Sequence, residues 1–108
     1  MRIWHEKLIP KLCQKHLCAM WREGLGCYKI ITENKKGYKN HPAVKEFIDC
    51  PNTLWWILSL VRTEMLKRSY NPKEMPEPCN YGDIDLRKEW QTLEQQVEIL
   101  KAKLCKCN

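Results

Sequence analysis

Met1 places an α-amino group beside the cation Arg2, and His16 and Arg22-Glu23 follow on a stretch with helical spacing. Together these residue types can attack, protonate and hold one sugar. A free α-amine titrates at about 7.7–8.0, so a usable fraction is an unprotonated nucleophile near neutral pH. A second residue as bulky as Arg2 is expected to block removal of the initiator Met, so that Met1 itself would carry the amine. Glu23 is the carboxylate expected to stabilise a cationic sugar and to move protons. Nearby cations favour the unprotonated amine, so Arg2 and Arg22 are expected to activate Met1. Glu23 alone would read as a solvated surface carboxylate and His16 alone as a structural histidine. All of this requires the N-terminal nitrogen to come within reach of the first long helix.

The elements that must position these groups read as all-α. Lys11 to about Lys29 forms the first long helix, entered at Pro10. Gly24 and Gly26 inside it mark a bend or a close approach, each costing about 1 kcal/mol relative to Ala. A step of about 100° per residue puts Leu17, Trp21, Leu25 and Tyr28 on a core stripe. Lys11, Lys15, Arg22 and Lys29 form a basic stripe, and His16 and Glu23 share a third. A break at Gly24 would remove Lys29 from this register. Thr32 to Asn40 reads as a basic loop. Pro42 starts a short helix through Ile48, and Pro51 starts a longer one to about Arg68. Trp55-Trp56, with Leu54, Ile57, Leu58, Leu60 and Val61, marks this last as the central core helix. Asn71 to Gly82, with three prolines, is an extended connector. Asp83 or Asp85 caps a final helix to about Cys105.

The 108 residues suffice for one small domain. No apolar run approaches the roughly 18 residues of a membrane span, and Arg2, His5, Glu6 and Lys7 break any signal-peptide core. The net charge of +6 is uneven: residues 1–46 hold ten Lys/Arg against four Asp/Glu, and residues 47–108 hold nine of each. Charge concentrated in this way is the footprint of phosphate contact, and duplex DNA is the expected partner. Within Lys35 to His41, Lys35, Lys36 and Lys39 can meet phosphates while Tyr38 and His41 stack on bases. Seven cysteines without a signal peptide read as reduced thiols, with Cys13, Cys18 and Cys50 as small apolar residues. The expected location is cytoplasmic or with DNA, and a viral source is compatible.

Met1-Arg2-Ile3-Trp4-His5, His16-Leu17, Trp21-Arg22-Glu23-Gly24, Lys36 to Pro42 and Lys67-Arg68-Ser69-Tyr70-Asn71 resemble the pyrimidine-dimer DNA glycosylase family. The likeness runs over about residues 1–73, a glycosylase-like helical core. Residues 74–108 add a Pro-containing connector and an amphipathic helix of the same domain. The resemblance implies that the Met1 amine is the nucleophile and Glu23 the acid/base group. It assigns Arg22 and Arg2 to phosphate or substrate and His16 to the lining of the site. It also implies a kinked duplex with a flipped base, and cleavage of the strand by β-elimination through an imine. Gly26 stands where the family has a further basic residue, and the C-terminus lacks the expected aromatic, basic tail.

Trp90, Leu93, Val97, Leu100 and Leu104 repeat at heptad spacing, with Leu86 as an extension. Docking onto the bundle is the plain reading of this seam and a homodimer contact the alternative; a monomer is expected. Cys105 and Cys107, with Cys79, fall short of the four ligands of a zinc site, so neither metal nor cofactor is expected. The rival function is a non-catalytic basic DNA-binding or interaction protein. A basic assembly factor is a third class.

Overall fold

The structure, a computed structural model, describes residues 2–33 and 40–103. It is all-α, with four α-helices and two 3-10 helices among the described residues: a 3-10 helix Glu6–Lys11, α1 Gln14–Thr32, α2 Pro42–Phe47, α3 Pro51–Lys67, a 3-10 helix Ile84–Leu86 and α4 Leu93–Ala102.

The centre is the packing of α1 on α3. Leu17, Met20 and Cys27 meet Leu54, Ile57, Leu58 and Val61, all essentially removed from water. Burying a side chain of this size stabilises by about 1.5–3 kcal/mol, which makes the contact the main source of cohesion. Gly24 is where the two helices touch: a Cβ there would lie 2.6 Å from Leu58 Cδ2. The glycine therefore serves close approach, and α1 continues unbroken through it, keeping Lys29 in register.

α1 starts later than Lys11. Pro10 lies inside the preceding 3-10 helix, and Leu12 and Cys13 are extended, with ψ of 138° and 168°. This extended step lets Leu12 enter the core at 2% exposure, and it takes Lys11 out of the α1 register. The N-terminal segment packs on the bundle through Ile3, Trp4, Leu8 and Ile9.

α2 and α3 begin at their prolines, where the missing N–H is no loss. His41 caps α2, its Nδ1 accepting from Ala43 N–H at 3.1 Å. α3 ends in a Schellman turn: Tyr70 N–H donates to Met65 C=O at 2.8 Å and Ser69 N–H to Leu66 C=O at 3.0 Å. Ser69 sits there at φ 66°, a conformation that favours glycine. The tryptophan pair divides: Trp56 is 47% exposed, whereas half-buried Trp55 packs against the core and gives its Nε1 to Pro76 C=O. At helical spacing Leu54, Ile57, Leu58 and Val61 fill the inner stripe and leave Trp56 outside it.

Residues 71–92 form a belt around the bundle. Tyr28 Oη donates to Glu77 C=O, Trp55 to Pro76 C=O and Arg62 Nε to Lys73 C=O. Arg87 then enters a largely buried cluster, 2.8 Å from Glu46 and 3.2 Å from Glu6, with its guanidinium over Phe47. Burial pushes the Glu46 carboxyl above its ordinary range, although Arg87 opposes this.

The last helix starts at Leu93. Asp83 caps the short 3-10 helix Ile84–Leu86, and α4 is opened by Thr92, whose hydroxyl accepts from Gln95 N–H while Gln95 accepts from Thr92 N–H. This capping box outranks a lone Asp because two orphan amides are satisfied at once. Trp90 and Leu86 therefore fall outside the helical seam, and both are exposed. Leu100 is 3% exposed within the core, with Leu93 and Val97 packed against it, so α4 docks on the bundle. Leu104, Cys105 and Cys107 lie outside the described residues.

Candidate active site

The polar arc of α1 and the N-terminal segment meet at a small pocket. It encloses about 170 Å³ and is lined by Arg2, Trp4, His16, Ala19, Met20, Glu23 and Lys103. His16, Ala19, Met20 and Glu23 share one face of α1 because they lie 3, 4 and 7 residues apart.

Glu23 is half-buried, and its Oε2 accepts the backbone N–H of Arg2 at 2.8 Å. The second residue of the chain is thus hydrogen-bonded to the carboxylate singled out on the first helix. An unpartnered amide at the edge of a pocket is costly, and here a charge-assisted bond satisfies it.

Arg2 lies beside two indoles: its guanidinium carbon is 4.8 Å from the Trp4 ring centroid and 5.3 Å from that of Trp90. Its Nη1 donates to Gln91 Oε1. Desolvation lowers the Arg2 pKa and Glu23 counteracts it, but an arginine in this setting stays charged.

His16 meets Trp4 edge to face at 5.9 Å, and its Nδ1 lies 3.3 Å from Cys13 Sγ. Burial lowers its pKa first, and the cations Lys103 and Lys15 lower it further. These effects disfavour the charged imidazole, which suits His16 to accepting or relaying a proton more than to holding a phosphate by charge. Lys103, at the C-cap of α4, adds a second cation to the pocket.

Of the other sequence candidates, Arg22, Lys15 and Lys29 are exposed on α1, and Lys11 is exposed on the 3-10 helix before it. His41 is half-buried as the α2 cap. Met1, Lys35, Lys36, Tyr38 and Lys39 lie outside the described residues. Sequence reasoning missed Trp4, Trp90, Gln91 and Lys103 as parts of this site. Trp4 was within the motif at the N-terminus, whereas nothing in local spacing links residues 90, 91 and 103 to residue 2.

Among the described residues no group of three or more His, Cys, Asp or Glu is arranged to hold a metal ion. Cys27 is no rival nucleophile, since burial and nearby Glu46 push its thiol up to about 12. A larger cleft of about 500 Å³ lies between the end of α1 and the belt, lined by Leu25, Tyr28, Lys29 and Pro76 to Cys79. It is mostly apolar, and although Lys29, Glu33 and Glu77 line it, it includes no residue of the N-terminal segment.

A family model described as pyrimidine dimer DNA glycosylase matches residues 1–77, well over half of the chain. The chain belongs to that family. The matched stretch contains Arg2, Trp4, His16, Arg22 and Glu23, whereas Trp90, Gln91, Gln96 and Lys103 lie beyond it. Membership makes DNA the substrate class and excision of pyrimidine dimers the general role. Neither the curated proteins nor the solved structures gave a match to this chain. No helix among the described residues is long and apolar enough to cross a membrane.

Proposed function

We propose that this protein is a DNA glycosylase with associated apurinic/apyrimidinic lyase activity on pyrimidine dimers or related lesions, using the amine of Met1. The observation that carries the reading is the 2.8 Å hydrogen bond from Arg2 N–H to Glu23. Consecutive Cα atoms are about 3.8 Å apart, so an amine on residue 1 stands within one residue of the site where Arg2 meets this carboxylate. Amine and acid can then share one deoxyribose.

In this mechanism the neutral amine attacks the anomeric carbon, and the C–N bond to the base breaks with the electron pair leaving on the base. One amine proton passes to the leaving base; the C1′–O4′ ring bond then breaks with its electron pair on O4′, which takes up a proton, and a protonated imine remains. Glu23 stabilises the positive charge that develops on the sugar and shuttles these protons. The imine acidifies a proton on the neighbouring sugar carbon. Its removal expels the 3′ phosphate by β-elimination. Arg2 and Lys103 beside the pocket favour the neutral amine, because a cation disfavours a second positive charge nearby. His16 can relay a proton. Arg22, Lys15 and Lys29 on the exposed face of α1 are suited to phosphates flanking the lesion, with Lys11, Lys35, Lys36, Lys39, Tyr38 and His41 as further contacts. The pocket is small, which suits a sugar and its attacking group rather than a whole dimer. The extruded bases would lie against its rim, and their unstacking costs least at a lesion.

Borohydride reduction with duplex DNA carrying an abasic site tests the reading. The expected product is a covalent adduct mapped by peptide sequencing to Met1. Extending the N-terminus by a short peptide should abolish the adduct while salt-sensitive DNA binding persists. Unchanged trapping after extension, or an adduct on a lysine such as Lys103, would overturn the assignment of the amine.

A further inference from the structure

Residues 2 to 5 are tied down by a part of the chain that the family match does not reach. Arg2 Nη1 donates to Gln91 Oε1, and its guanidinium lies 5.3 Å from the Trp90 ring centroid. Three residues on, His5 N–H donates to Gln96 Oε1 at 2.7 Å, and Gln96 Nε2 reaches back to Gln91 C=O at 3.3 Å. Gln96 is 8% exposed, so its amide is committed to these bonds rather than to water. The result is a continuous polar chain from His5 through Gln96 and Gln91 to Arg2. The other side of Arg2, its backbone N–H, meets Glu23.

We propose that Trp90, Gln91 and Gln96 are positioning residues that hold the N-terminal segment in the register presenting the residue-1 amine to Glu23. The inference rests on the amine reading above. Chain termini are poorly ordered unless something anchors them. A nucleophile carried on a terminus needs such an anchor more than one on a helix, since a misplacement of about 1 Å can cost on the order of 100-fold in rate. Ile3 and Trp4 root the segment in the core, and Trp4 supplies one wall for Arg2. The second wall and the hydrogen-bond acceptor come from residues 90 and 91, which the Thr92 capping box and the Arg87 cluster fix on either side. Arg2 in this arrangement works as the clamped handle of the terminus, and its charge remains beside the pocket.

The test compares Trp90→Leu, Gln91→Leu and the conservative Trp90→Phe and Gln91→Glu with the unmodified protein. Trp90 is 41% exposed and Gln91 half-buried, so folding tolerates these changes, and thermal melts verify it. Three quantities are read: single-turnover borohydride trapping at saturating protein, affinity for undamaged duplex, and hydrogen exchange of the Arg2 and His5 amides. Trp90→Leu and Gln91→Leu should slow trapping about 10- to 100-fold. Duplex affinity should stay within about threefold, since no phosphate-facing charge is removed. Exchange at Arg2 should accelerate in both, and Trp90→Phe and Gln91→Glu should restore most of the rate. Trapping at the unmodified rate in both leucine variants overturns the clamp and leaves the amine reading intact. So does slowed trapping with Arg2 exchange unchanged. No adduct from the unmodified protein sinks the amine reading and the inference with it.

Discussion

Replacing Arg87 by Met removes one charge from a cluster in which both partners are nearly out of water. The Arg87 side chain is 11% exposed and that of Glu46 7%, with 2.8 Å between Nε and Oε2. Met retains the apolar stem over Phe47, so the loss is mainly electrostatic. Breaking a buried pair from one side costs about 3–5 kcal/mol, because the remaining charge has no partner. A domain of this size has a total stability of about 5–15 kcal/mol, so the variant loses about a fifth of it or more. With a urea slope of about 1–3 kcal/mol per molar, the denaturation midpoint falls by roughly 2 M. The pH dependence identifies the cause. Burial raises the folded-state pKa of Glu46, so its contribution is fullest below the unfolded carboxylate pKa and declines as pH rises through the folded value. Arg87 limits that rise, and without it the folded pKa climbs further. The deficit of Arg87→Met is therefore largest at neutral pH and shrinks toward about pH 4.5, where Glu46 can carry a proton in the folded state. Urea titrations of both proteins at these two pH values check this, and Glu46→Gln added to Arg87→Met should recover most of the loss at neutral pH. An equal deficit at both pH values, or no recovery with Gln, would refute the account.

Other perturbations have equally definite outcomes. Glu23→Gln should retain duplex binding and lose about 100-fold or more in turnover, measured by single-turnover cleavage of lesion DNA. Ser69→Gly should stabilise the protein by up to about 1 kcal/mol, since φ 66° carries no Cβ penalty for glycine; a lower thermal midpoint would contradict this. Changing Lys15, Arg22 or Lys29 to Ala should each reduce the slope of log affinity against log salt by about 1, measured on undamaged duplex. His16 should titrate below the ordinary histidine range by NMR, because burial and two lysines disfavour its charged form, and Lys103→Met should move it back upward.

The parts of the fold written in local signals were legible in the sequence. Pro42 and Pro51 start α2 and α3, and the apolar stripe of α1 is buried through Leu17, Trp21 and Tyr28. Local reading erred where two local signals competed. Pro10 was read as the entrance to α1 but lies within a 3-10 turn, and the capping box at Thr92 prevailed over Asp83 and Asp85. The apolar segment Leu54 to Val61 is the central core helix, as its composition indicates, although helical phase turns Trp56 outward. For the site, His16 and Glu23 were legible as one edge of a helix, and both line the pocket. The contributions of Trp90, Gln91 and Lys103 were not, because they reach Arg2 and His16 across the whole length of the chain. Tertiary contact between distant segments leaves no periodicity to read.

The belt is fastened in a way that separates its path from its composition. Tyr28, Trp55 and Arg62 all reach outward from helices and grip main-chain carbonyls of Glu77, Pro76 and Lys73. A carbonyl is present whatever residue bears it. Mutation can therefore rewrite most side chains between α3 and Arg87 while the three grips remain, so homologous chains are free to diverge here and still deliver their last helix to the same place. Drift in this segment should run ahead of drift at Tyr28, Trp55 and Arg62, whose loss would set the ribbon adrift.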